Sequence, residues 1–92
     1  MKLDRKFYSP EGIRKAKDGT RIPDDQWVVF LANDNAFAAI LPAYRQKCLQ
    51  LGCDKRHLDA VDRLILDVDS WRRNHPDKCH KPDIGHDEKL LS

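Results

Sequence analysis

Two runs of apolar residues at helical spacing flank one break, Gly52-Cys53-Asp54, and that break dictates most of what this chain can fold into. Before it, Phe37, Ile40, Leu41, Tyr44, Cys48 and Leu51 recur at intervals that put side chains on one face of a helix. After it, Leu58, Val61, Leu64, Ile65, Val68 and Trp71 do the same over about five turns. Gly52 stops the first helix because glycine enters the left-handed region without steric cost. Asp54 restarts the chain as an N-cap, its short carboxylate accepting from the free N–H groups of the next turn. A connection this short makes the two helices an antiparallel hairpin. Asn33, Asp34 or Asn35 caps the first helix, and Pro42 predicts a kink or a short opening turn. His75-Pro76 ends the second.

The residues ahead of the helices read as β. "KFYSPEG" suggests a brief strand ending at Ser9-Pro10, and "KDGT" is a turn signal. The run Gln26–Leu31, "QWVVFL", is β-branched and aromatic and predicts a strand. Trp27, Val29 and Leu31 fall on one face and Val28 and Phe30 on the other, the pattern of a strand covered on both sides. The expected fold is α+β: a short β-strand or hairpin element, then the antiparallel two-helix hairpin, as one domain over residues 1–75. Residues 76–92 are rich in Pro, His and charge and lack periodicity, which predicts an extended or disordered tail.

At 92 residues the chain has a marginal core unless a disulfide, a metal or a second subunit supplements it. Three cysteines, Cys48, Cys53 and Cys79, are an odd count that fits a reducing compartment better than a disulfide framework. The charged opening Met1–Tyr8 lacks an apolar signal core, and no apolar run reaches the ~20 residues of a membrane span. A cytoplasmic protein is expected. The formal charge of +2 hides alternating blocks: residues 1–21 carry seven Lys/Arg against three acids, residues 22–44 three Asp and no base. Alternation of this kind suits intersubunit or intramolecular complementarity and argues against nucleic-acid binding, which favours a sustained basic face. The segment 22–44, "IPDDQWVVFLANDNAFAAILPAY", is apolar on nearly every side, more than one chain can cover. It predicts the seam of a homo-oligomer.

Few residues here carry chemistry. Cys53-x3-His57 and His75-x3-Cys79-His80 hold metal-ligand residue types, but they bracket a helix of roughly 30 Å, so one chain cannot close both halves on an ion. Neither a metal nor a cofactor is expected. Cys48 falls on the buried stripe, and Cys53 at a helix N-terminus beside Lys55, Arg56 and His57 predicts a lowered thiol pKa with no base set beside it. No catalytic residue is expected, and the reading is non-enzymatic. A basic cluster of Lys55 and Arg56 at the start of the second helix, with Arg45 and Lys47 nearby, is a recipe for anion binding. At about 100° per residue Arg72 falls within the apolar arc of Leu58, Val61, Ile65 and Val68, whereas Arg73 points away. Arg72 then either pairs with Asp34 across the hairpin or faces a cleft beside Trp27, Tyr44 and Trp71, where a guanidinium holds phosphate and aromatics stack on a base. The candidate ligand-binding set is Trp27, Asp34, Tyr44, Lys55, Arg56, Trp71, Arg72 and Arg73. Leu66, on the polar face, is a candidate subunit contact.

The stretches "DGTRIPDDQWVVFLANDNAF" and "SWRRNHPDKCHKPD" resemble a loose group of small, largely uncharacterised proteins encoded by phages, prophages and plasmids. The matching positions are Gly19, Ile22, Pro23, Asp25, Val28–Phe30, Asp34, Trp71, Pro76 and Asp77, over roughly residues 18–83. The resemblance implies a mobile-element setting, in which small proteins antagonise host immunity. The leading expectation is therefore an anti-defence protein that sequesters a small anionic ligand, a cyclic-nucleotide or ADP-ribose-type signal. The alternative is an anti-CRISPR-like inhibitor that covers the surface of a host defence protein.

Overall fold

The structure, a computed structural model, describes Lys2, Leu3, Phe7 and residues 9–82. These residues divide into two compact units, one reaching Val29 and one running from Phe30 to Pro82.

The first unit holds a two-stranded antiparallel hairpin, β1 (Ile13–Arg14) and β2 (Arg21–Ile22). The "KDGT" signal is its turn. Asp18 accepts from the Thr20 N–H at 2.9 Å, Lys15 N–H donates to Thr20, and Gly19 takes a positive φ of 75°. The register sets Arg14 opposite Arg21, a like-charge pair. The repulsion is relieved outward: Arg14 donates to Gly19 O at 2.9 Å, and Arg21 pairs with Asp24 at 3.2 Å. Pro23 then ends β2, and Asp24–Gln26 closes a 3-10 turn through Gln26 N–H to Pro23 O at 2.9 Å. Trp27, buried, donates its indole N–H to Asp24 at 3.4 Å and lies beneath the Lys2 ammonium, 5.6 Å from the ring centroid.

The second unit is the helical hairpin, α1 (Asn35–Gln50) and α2 (Lys55–Asn74). Asp34 is the cap of α1, its carboxylate accepting from Ala36 at 2.8 Å and Phe37 at 3.0 Å. Asp54 caps α2 through Arg56 N–H at 2.7 Å. Gly52, at φ 72°, makes the reversal, and α1 runs unbroken through Pro42. Cross-helix contacts pair Cys48 with His57, Arg45 with Asp62 and Asn35 with Arg72. Partner numbers rise on one helix as they fall on the other, so the packing is antiparallel. The seam is narrow: Leu41 and Cys48 from α1, Val61 and Val68 from α2, each pair seven residues apart. Arg45 clasps Asp62 with two nitrogens, and this hydrogen bonding holds the Asp62 carboxyl below its ordinary pKa. Along α2, Lys55 pairs with Asp59 and Arg63 with Asp67, each four residues apart. Among the described residues, no helix is long and apolar enough to cross a membrane.

One expectation needs correction. Gln26–Leu31 does not form a strand; Gln26 belongs to the 3-10 turn, and the boundary between the two units falls inside the run, after Val29. High β-propensity supplies no ladder by itself, and the cover expected on both faces is missing at Val28, Phe30 and Leu31, which are exposed. Trp27 is buried in the first unit, while Phe30 stacks on Phe37 in the second with centroids 5.1 Å apart. The beginning of the expected C-terminal tail carries local order. Pro76–Lys78 forms a 3-10 turn and His80 bridges to Asp34 in parallel, with Asn35 N–H donating to His80 O at 3.0 Å and His80 N–H to Asn33 O at 3.1 Å. The rest of that expected tail, 83–92, and Lys6 and Tyr8 of the expected first strand lie outside the described residues, while the strand that forms before the turn is β1, Ile13–Arg14.

The cap and the clasp each generate a prediction. Asp34→Ala should lower unfolding stability by about 1 kcal/mol and Asp34→Asn by much less, read from denaturant midpoints. Because the folded Asp62 pKa is depressed, its contribution is fully present above the unfolded carboxylate value of about 3.9. It is lost as pH falls through the lower folded value. Denaturation midpoints at pH 7 and below pH 4 should show an acid-sensitive component that Asp62→Asn lacks.

Candidate functional site

Among the described residues, the helix reversal brings two thiols and an imidazole together. Cys48 sits in the last turns of α1, Cys53 follows Gly52, and His57 lies in the first turn of α2. Their ligand-type atoms all fall within 4.8 Å of one another, with Cys48 Sγ 3.6 Å from His57 Nε2. Tyr44, one turn before Cys48, brings its hydroxyl to 3.4 Å from the same nitrogen and meets the imidazole edge-on. Cys48 is buried, Cys53 partly buried and His57 exposed, so the cluster opens on the His57 side.

Partial burial, and then the nearness of Cys48, push the Cys53 thiol above its ordinary pKa. This overturns the lowered value expected from the helix N-terminus. The local cations are directed elsewhere: Lys55 to Asp59 at 2.8 Å and Arg56 to Asp54 at 3.4 Å. Hydrogen bonding to Cys48 also raises the Tyr44 phenol. A protonated thiol is a poor nucleophile, which weighs against covalent chemistry here.

The sequence-predicted ligand set is spread over three places. Tyr44, Lys55 and Arg56 lie at the turn end of the hairpin. Asp34, Trp71, Arg72 and Arg73 lie at the opposite end, roughly 25 Å away along α2. Trp27 belongs to the first unit. Arg72 donates to Ala32 O at 3.1 Å and to Asn35 Oδ1 at 2.7 Å, so its partner at the α1 start is Asn35, the residue after the cap. Trp71 stacks on His75 at 4.3 Å, and His75 Nδ1 lies 2.8 Å from Trp71 O. Arg73 pairs with Asp69 at 3.2 Å. Arg45, expected near the basic cluster, is engaged by Asp62.

Sequence reasoning missed the meeting of Cys48 with Cys53 and His57. The signal is Cys48-x4-Cys53-x3-His57 straddling the predicted reversal, legible once the turn folds the end of one stripe onto the start of the next. The chain matches no protein-family model, no curated protein and no solved structure.

Arg72 is expected to staple the entry of α1 to the exit of α2. Arg72→Lys, which cannot reach both acceptors, should cost about 1–2 kcal/mol. Hydrogen exchange should show faster opening at Ala32–Asn35 with little change at the Gly52 turn.

Proposed function

We propose that the chain is a non-enzymatic binding protein that sequesters a small anionic ligand of the nucleotide class and does so as a homo-oligomer. The observation that carries this reading is the turn end of the hairpin. There an exposed aromatic, Tyr44, stands against His57, with Lys55 and Arg56 on the same first turn of α2. The carboxylate partners of both cations are themselves exposed, and such solvent-screened surface pairs are weak. A phosphate can therefore displace them at small cost. The mobile-element setting implied by the resemblance supplies the biological context, an immune signal held away from its receptor.

Self-association is supported by one flank of the hairpin. Ile40, Tyr44 and Leu51 stand on the same side of the α1 seam at about 100° per residue, and Leu64 on the corresponding side of α2. The Tyr44–His57 contact joins these two sides. All four leucine, isoleucine and tyrosine side chains are exposed, Leu51 by 69%. The same flank favours the second reading, in which it covers the surface of a host defence protein.

Thermal denaturation with a panel of cyclic and ADP-ribose-type nucleotides separates the two. A ligand at 100 times its Kd stabilises by about 2.7 kcal/mol, on the order of 10 °C or more for a chain this small. Lys55→Ala/Arg56→Ala should abolish the shift, and the nucleotide should be recovered intact after denaturing the complex. No shift with any nucleotide, together with stable capture of one host defence protein, would replace sequestration by surface inhibition. Light scattering of the free protein should give a mass above 10.7 kDa.

A further inference from the structure

We propose that the hairpin turn is a divalent-metal site, suited to zinc(II), held by Cys48 Sγ, Cys53 Sγ and His57 Nε2. The inference stands on the geometry of these three groups and does not rest on nucleotide binding. Zinc takes thiolate at about 2.3 Å and imidazole at about 2.0–2.1 Å in a tetrahedron, which sets neighbouring ligand atoms roughly 3.6 Å apart. Cys48 and His57 already stand at 3.6 Å. All three ligand atoms lie within 4.8 Å, so closure needs only a small side-chain movement.

The backbone favours the same conclusion. One ligand comes from the end of α1, one from the connection and one from the start of α2, all within the ten-residue span 48–57. The two helices are held at this spacing by the Leu41–Cys48 and Val61–Val68 seam and by the Arg45–Asp62 clasp, so the loop entropy of bringing the donors together is met by the fold. Two sulfur donors and one imidazole select a borderline-soft ion over magnesium or calcium, which favour oxygen. Binding releases the two thiol protons to solvent, and the resulting thiolates balance the dication. The fourth position faces the exposed His57 side, where water or an exogenous donor completes the tetrahedron. The narrow seam gives the ion its role: it pins the reversal of a unit with few buried side chains.

The test uses the full chain, kept reduced, titrated with zinc and separately with cobalt(II). One ion per chain is expected, with the visible ligand-field bands of tetrahedral cobalt and thiolate-to-cobalt charge transfer in the near ultraviolet. Cys53→Ser and His57→Gln, at the more accessible positions, should each weaken binding beyond the roughly 10–100-fold that loss of an outer-shell partner causes. They decide the matter even if the buried Cys48→Ala fails to fold. Cys79→Ser, at the far end of α2, should bind as the parent does. Sub-stoichiometric binding by the reduced, folded parent would overturn the assignment, as would parent-like affinity in Cys53→Ser and His57→Gln or loss of binding in Cys79→Ser.

Discussion

The reversal at Gly52 is the constraint on which the hairpin unit depends. A left-handed residue with open space around it lets the backbone turn within a few positions, and Asp54 immediately recaptures the chain into a helix. Everything that meets across the hairpin follows from that choice of register. Shift it by one residue and Leu41, Cys48, Val61 and Val68 no longer share a seam, Arg45 loses Asp62, and the donors at 48, 53 and 57 separate. The core is thin, so register is specified as much by polar pairing as by burial.

The helices were legible because three independent signals coincide: apolar period, cap and stop. Asp34, Gly52, Asp54 and His75 each mark a boundary by backbone chemistry that acts locally. The segment Gln26–Leu31 was not legible, because a strand exists only with a partner. Its residues announce burial, yet Trp27 is buried while Val28, Phe30 and Leu31 stay exposed. Phe30 finds Phe37, a residue with a helical assignment, and Trp27 finds Asp24 and Lys2. The α+β class survives because the "KDGT" turn supplies its own short ladder, two residues per strand, upstream of the run that looked most like a strand.

The candidate site shows the same division between local and distant information. Composition reads the cations as anion-seeking groups, but several of the described ones already sit beside a carboxylate. Arg21, Arg45, Lys55, Arg56, Arg63 and Arg73 each face an aspartate, and five of these six pairs are formed within one turn of sequence. The alternating charge blocks therefore read partly as internal pairing. Cys48 was misplaced in meaning rather than in position: it does lie on the buried stripe, and the turn brings a second thiol and an imidazole to it.

The pairing of His80 with Asn33 and Asn35 joins the segment entering the helical hairpin to the segment leaving it. Entry and exit of the unit are thus neighbours, a few ångströms apart on one side of the fold. A unit closed in this way can be grafted into a surface loop of an unrelated host without stretching either end, since the host sees only two adjacent attachment points.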